Sequence, residues 1–235
     1  MQYFKPDDFS PNLFHPYYFI RNGLYNKIRE NASFLKGRLL DFGCGSKPYK
    51  KYFTVDEYVG IDFENEGHPH DFEQIDIIYD GKHIPAPDNS FDSVLTTEVF
   101  EHIFNLPHVL QELNRVLKPG GYMLVTCPFV WNEHEVPYDY ARYTRFALED
   151  MARQAGFTVE KTDKSGNFIT AVTQLRVLYF FQTFYWRLSK FFFTRWLFVF
   201  FFIFIPNVFG KIASSLLPKN TTLYLNNIVV LRKAI

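Results

Sequence analysis

At 235 residues the chain has room for one domain with an elaboration and a real core. Its two cysteines, Cys44 and Cys127, stand too far apart for a metal or redox motif, which fits a reduced compartment. Twenty-five Lys and Arg balance twenty-five Asp and Glu, but every acid lies at or before Asp163, so a formal charge of −9 is followed by 72 residues carrying +9. Such a split marks the C-terminal part as a surface for an anionic partner. The opening MQYFKPDDFSPNLFHP has no basic stretch followed by an apolar core, so no signal peptide is expected.

In chain order, Tyr17 to Asn31 places Phe19, Ile20, Leu24 and Ile28 at helical spacing, predicting a helix that packs on a sheet or lids a ligand. The next stretch, GRLLDFGCGSKPY from Gly37 to Tyr49, reads as a short strand through Leu39 and Leu40, Asp41 at its end, a Gly-x-Gly turn at Gly43 and Gly45, and a helix start at Ser46. Glycine there lets the backbone turn sharply and a ligand approach, and a helix start offers free N–H groups to negative charge. Glu57 to Asp62 is a second strand whose acid falls 21 residues beyond Asp41, where a carboxylate can hold a ribose diol. Ile75 to Asp80 and Phe91 to Thr97 are further strands, and Glu98 to Phe104 opens a helix. Leu106 to Leu117 is an amphipathic helix stopped by Lys118-Pro119-Gly120-Gly121. Strands at 122–127, 157–161 and 227–231, with a helix at 144–155, complete the pattern. The alternation predicts an α/β, doubly wound, mostly parallel seven-stranded sheet.

Pro128 to Tyr143, PFVWNEHEVPYDYARY, leaves the sheet at its carboxyl edge, where open α/β sheets bind ligands. His134 has the chemistry of a general base for a hydroxyl, with Glu133, Glu135 or Asp139 to orient it. Tyr138, Tyr140 and Tyr143 are placed to stack on a sugar or aromatic ring. His134, Asp139 and Tyr143 are therefore the catalytic candidates. Glu98, Glu101 and His102, at i, i+3 and i+4, would share one face of a helix and converge on a divalent cation, with His134 as a candidate extra ligand. An ordinary helix start with a structural Glu101 explains the same residues, and no metal is assigned.

Thr170 to Leu217 interrupts the pattern before the last strand. On a helix, Arg176, Thr183, Arg187, Lys190 and Thr194 form a narrow polar stripe among aromatics such as Phe181, Phe184, Tyr185 and Phe192. Trp196 to Gly210 is uncharged but only 15 residues long and holds Pro206 and Asn207, short of the about 20 residues of a membrane span. A basic, aromatic-rich stretch of this kind predicts a helix pair in the membrane interface, each Lys or Arg contributing about 1 kcal/mol near an anionic leaflet. A re-entrant or tilted span, a homodimer interface and a buried helical subdomain are the alternatives. The charges stand beside long aliphatic runs, which argues against nucleic acid.

The segments LLDFGCG, YVGIDF, YDGKHIPAPDNSFD, TTEVFEHI and LNRVLKPGGYMLVTCP, between about Gly37 and Asp163, resemble the successive motifs of Rossmann-like (class I) S-adenosylmethionine-dependent methyltransferases, the type 11 subgroup above all. The resemblance implies S-adenosyl-L-methionine as cofactor. It puts Asp41, Gly43, Cys44 and Gly45 around the methionine part, Asp62 with Phe63 at the ribose, Asp80 with Gly81 at the adenine, and Glu98 and Val99 along the methionine side. The fuller family pattern has a third small residue where Lys47 stands. A nicotinamide-dependent oxidoreductase would need Gly-x-Gly-x-x-Gly, and Pro48 occupies the last glycine's place. The loop EHEVPYDYARYT is similar to one in type 11 members of bacterial surface-glycan pathways, and Glu-x-x-Glu-His resembles the metal site of ubiquinone-biosynthesis and small-RNA methyltransferases.

Together these readings predict a helical cap at 1–35, a catalytic domain at 36–169 and 218–235, and a membrane-interface insertion at 170–217. They predict O-methylation of a glycan, glycolipid or other lipid-linked hydroxyl by a cytoplasmic protein held at the inner face of the membrane. A metal-assisted O-methyltransferase of a quinone-like or small-molecule acceptor, and a non-catalytic cofactor-binding scaffold, are the alternatives.

Overall fold

The computed structural model describes residues 9–63, 75–188 and 191–235. Seven strands, β1 Arg38–Phe42, β2 Glu57–Phe63, β3 Ile77–Tyr79, β4 Phe91–Thr97, β5 Leu117–Pro128, β6 Phe157–Ser165 and β7 Asn226–Lys233, form one sheet in the order β3-β2-β1-β4-β5-β7-β6. The pairs β1–β2, β1–β4, β2–β3 and β4–β5 are parallel. The chain runs outward from β1 to β3, then returns to lay β4 on the other side of β1. That reversal opens a crevice beyond the carboxyl ends of β1 and β4, where such sheets take their ligands. Leu39 to Phe42 and Val94 to Thr96 are all buried, as continuous apolar strands covered on both faces must be.

The helices are α1 Tyr18–Asn31, α2 Leu106–Val116, α3 Arg145–Gln154, α4 Phe168–Leu188, α5 Phe192–Phe198 and α6 Ile205–Leu216. In α2, Leu106, Val109, Leu110, Leu113 and Val116 are buried at helical spacing and join the sheet's core. Thr144 caps α3 by accepting the Ala147 N–H at 3.3 Å.

The chain divides into two compact units, Met1–Lys27 with Lys164–Asn226, and Ile28–Asp163 with Asn227–Ile235. In the first unit Val177, Tyr185, Phe198, Val199 and Ile203 form a small core. Buried amides tie it together. Gln174 Oε1 accepts the N–H groups of Phe19 and Ile20 at 3.1 and 3.2 Å, and its Nε2 donates to Pro16 O at 2.7 Å. Asn207 Nδ2 donates to the carbonyls of Leu13 and His15.

Four local expectations are corrected. Glu98 to Phe104 is not a helix: Glu98 adopts φ +54°, which breaks helical continuity, and only a 3-10 turn at Phe100–His102 follows. The helix ends at Val116 as expected, but Lys118 to Gly121 already lie inside β5, where the register against β4 shifts, so the strand begins at Leu117 rather than Tyr122. The uncharged 196–210 stretch is part of a longer helix, Phe192–Leu216, whose 25 residues are long and apolar enough to cross a membrane by length and composition. A π-helical turn at Val199–Phe204 sits in its middle, directly before Pro206, which lacks the N–H for one rung of the ladder. The proposed polar stripe does not continue on one helix either. α4 ends at Leu188, Thr194 Oγ1 donates to Leu188 O and Phe191 O, and Lys190 lies outside the described residues.

Candidate active site

The site begins with the turn after β1. Gly43 takes φ +74° and Gly45 φ +44°, and the N–H of Gly43 bonds to Ile61 O at 2.9 Å. A Cβ on Gly43 would lie 2.2 Å from Val99 Cγ2, so conformation and the close approach of Val99 both demand glycine there. Asp62, at the end of β2, accepts Gly45 N–H on Oδ2 and Phe63 N–H on Oδ1, each at 2.7 Å. Its carboxylate is thus aimed by the turn itself.

Asp41 is buried, with Oδ2 accepting the Tyr58 hydroxyl at 2.6 Å. Its Oδ1 is buried with no hydrogen-bond partner among the described residues. Burial, with Asp62 nearby, pushes its pKa up to about 7 despite the tyrosine bond. A buried carboxylate oxygen left unsatisfied beside a Gly-x-Gly turn fits a cationic, amine-bearing ligand such as S-adenosylmethionine. Lys47, φ +53°, stands where a small residue was expected. Its Nζ pairs with Asp76 Oδ2 at 2.6 Å, and its stem lies where a Cβ on Gly60 would be, 2.2 Å from Cε. Gly60 is the space that Lys47 needs. The Cys44 thiol is buried beside the same glycine, and burial raises its pKa.

Asp80 is exposed just past β3, and its Oδ1 accepts the N–H groups of Lys82 and His83, which lower its pKa. Gly81, φ +80°, brings its backbone close to the half-exposed Phe63 ring, 3.2 Å from a Cβ placed there. Glu98, after β4, accepts from Thr126 Oγ1 at 2.8 Å, and its N–H bonds to Thr126 O.

The loop after β5 forms the second half. Asp139 is gripped by Arg142 through two guanidinium nitrogens at 2.5 and 2.7 Å, and accepts His134 N–H at 3.0 Å. Burial would raise the Asp139 pKa, but Arg142 and His134 overcome it and hold it at about 2. Tyr140 and Ala141 donate their N–H groups to Glu101 O, stitching the loop to the 3-10 turn. His102 Nδ1 meets Tyr138 O at 2.8 Å, and His102 Nε2 faces His134 Nε2 at 3.2 Å. The fully buried Glu101 puts Oε1 at 3.8 Å from His102 Nε2 and 3.9 Å from His134 Nε2. Burial and Glu98 raise the Glu101 pKa well above the carboxylate range, while burial and His102 lower that of His134.

The structure therefore brings Asp41, Gly43, Gly45, Asp62 and Val99 around one turn, and pairs Phe63 with Gly81. His134 and Asp139 meet as expected neighbours, but His134 points its Nε2 at His102. The cluster that forms is Glu101, His102 and His134, whose ligand atoms lie within 4.8 Å of one another; of the expected Glu98, Glu101 and His102 with His134 as an extra ligand, Glu98 alone stands apart. Glu98 points to Thr126 because it precedes the turn in a left-handed conformation. Tyr143 packs its ring on the sheet's core, with its carbonyl held by Asn227 Nδ2. Tyr140 stands half-exposed with its ring 5.4 Å from that of exposed Phe104. Tyr58, Asp76 and Arg142 were not foreseen as parts of the site. Arg142 carried a signal, an i,i+3 spacing from Asp139, whereas nothing local marks Tyr58 or Asp76.

A methyltransferase-domain family model matches residues 18–162, more than half of the chain. The chain belongs to the class I S-adenosylmethionine-dependent methyltransferases. It is similar to a fatty-acid O-methyltransferase of Mycolicibacterium smegmatis, 31% identical over 141 residues covering 56% of this chain and 49% of the relative. It is also similar to phthiotriol/phenolphthiotriol dimycocerosates methyltransferase 1 of Mycobacterium ulcerans, 29% identical over 113 residues, 44% of this chain and 42% of that one. The chain spans about half or less of these relatives' length. Among solved structures the cyclase SpnF superposes with a TM-score of 0.56 at 20% identity, covering 92% of this chain and 82% of SpnF. That likeness is one of fold, and its reaction shows that the fold alone does not choose the chemistry.

Proposed function

We propose that the protein transfers the methyl group of S-adenosylmethionine to a hydroxyl oxygen on a lipid-borne acceptor, a glycolipid, lipid-linked glycan or similar molecule. The observation that carries this reading is the convergence of Glu101, His102 and His134 beyond the ends of β4 and β5, in the same unit as the cofactor turn. The cofactor, when bound, supplies an already electrophilic methyl carbon. What remains for the chain is to position an acceptor oxygen and ease the loss of its proton. An ionised carboxylate acceptor needs no such help. A cluster of two imidazoles and a carboxylate therefore favours a hydroxyl.

Support for a lipid-borne acceptor comes from the names of the two relatives, which act on a fatty acid and on phthiotriol lipids, and from the C-terminal segment. There Trp186, Phe192, Phe193 and Phe209 are each more than two-thirds exposed, in a stretch of chain whose only charges are positive. Exposed aromatics with basic residues suit the interface of an anionic membrane. On this reading the protein works at the cytoplasmic face of the membrane as a peripheral enzyme. The test supplies purified protein with methyl-labelled S-adenosylmethionine and a bacterial envelope extract, then partitions the products between butanol and water. Label in butanol that resists the mild alkali releasing a methyl ester's methanol, and that hydriodic acid releases as methyl iodide, is the expected result. Label confined to water overturns the lipid acceptor, and no label overturns the transferase reading.

A further inference from the structure

We propose that Glu101, His102 and His134 form a binding site for one divalent first-row transition-metal cation, with Glu135 beside it as a further ligand. The positions of the imidazole protons carry the assignment. Tyr138 O is a carbonyl and only accepts, so at 2.8 Å the hydrogen of neutral His102 lies on Nδ1 and its Nε2 carries a lone pair. His134 Nδ1 faces the Asp139 carboxylate at 3.3 Å, which also only accepts. The donor near that nitrogen among the described residues, Arg142 Nη2 at 3.4 Å, is already engaged by Asp139 and by Asn132 O. His134 Nε2 is then a lone pair too, and it points at that of His102 across 3.2 Å.

The third member sharpens the conflict. Glu101 Oε1 is fully buried without a hydrogen-bond partner among the described residues, 3.8 and 3.9 Å from the two nitrogens. A single shared proton would join the imidazoles and leave this oxygen unsatisfied. A cation satisfies all three. The point equidistant from these atoms lies about 2.1 Å from each, the bond length that imidazole and carboxylate make to zinc-sized ions. Anchoring of each imidazole's other nitrogen to an oxygen is the usual support of a metal-bound histidine. Two nitrogens and a carboxylate favour first-row transition ions over magnesium or calcium. Glu135 Oε2, 3.7 Å from His102 Nε2, lies on a backbone held at φ +51°.

Three or four protein ligands leave room for an acceptor oxygen, whose proton a cation would help release to solvent. This role rests on the function proposed above; the binding site does not. The test titrates the full chain, stripped with chelator, with Co2+, read by visible absorption and calorimetry. One Co2+ per chain with ligand-field bands is expected, displaced by Zn2+. His134→Ala should abolish the bands, and Asp139→Asn should weaken Co2+ by about 10- to 100-fold, while affinity for S-adenosylmethionine, the check on folding, stays unchanged. Absence of bands in the wild-type protein, or bands as strong as the wild type's in both His102→Ala and His134→Ala, overturns the site. Methyl transfer undiminished in excess chelator with no Co2+ binding overturns it while leaving the transferase standing. Tight Co2+ binding without methyl transfer to any lipid supports the site and overturns the function.

Discussion

Asp41 spends part of the pH range as a neutral acid inside the protein. Its pKa, raised by burial to about 7, exceeds that of the unfolded chain, about 3.9. A group whose folded pKa is raised gives its full stabilisation below the unfolded value and loses it as pH rises toward the folded one. Stability of the ligand-free protein should therefore decline from about pH 4 to pH 7, by about 1.4 kcal/mol per unit at most. Asp41→Asn keeps a neutral group against Tyr58 and should flatten this decline. Its melting temperature at pH 8 should exceed the wild-type value by on the order of 5 °C, with little difference at pH 4. Parallel pH curves for the two proteins would contradict the assignment. Cofactor affinity should move the other way in the wild-type, strengthening as pH rises through 7, because the cationic ligand binds the ionised form. Asp62 was legible from its spacing and Asp41 from the family resemblance. Tyr58 and Asp76, which set their charge and surroundings, were not, since they meet the turn only when β2 lies beside β1.

At the scale of elements, the helix α1 depends on a side chain more than 150 positions away. An α-helix leaves its first N–H groups unpaired, and here Gln174 accepts those of Phe19 and Ile20 while donating to Pro16 O. Gln174→Leu preserves bulk but strands these groups in a buried place. The expected loss is on the order of 2–4 kcal/mol, visible as a lower denaturant midpoint and faster hydrogen exchange at the Phe19 and Ile20 amides. Unchanged exchange at both would refute the account. The strands and α2 were readable because burial on two faces, or on one stripe, imposes a period on the residues. The segment after β4 was not. Its composition suits a helix, but the left-handed Glu98 and the contacts of Glu101 O with the later loop hold it to a single 3-10 turn.

For the whole molecule, the exposed aromatics of α4 through α6 and the positive C-terminal part lead to one expectation. The protein should float with vesicles containing anionic lipid and be released as salt rises, since screening weakens the charge contribution. Phe192→Glu with Phe193→Glu should reduce flotation at least tenfold without changing affinity for the cofactor. Equal flotation with purely zwitterionic vesicles would remove the electrostatic part, and none with either would leave the segment to another role. The sequence by itself determined the alternating sheet, the Gly-x-Gly turn with its carboxylates, and the family, because each is written in local periods and short spacings. Only the tertiary structure decided that His134 meets His102, 32 residues away, and that Glu101 rather than Glu98 joins them. Those meetings depend on how a loop returns over the end of β4, held by backbone bonds and the Asp139–Arg142 clamp, and no local period encodes that path.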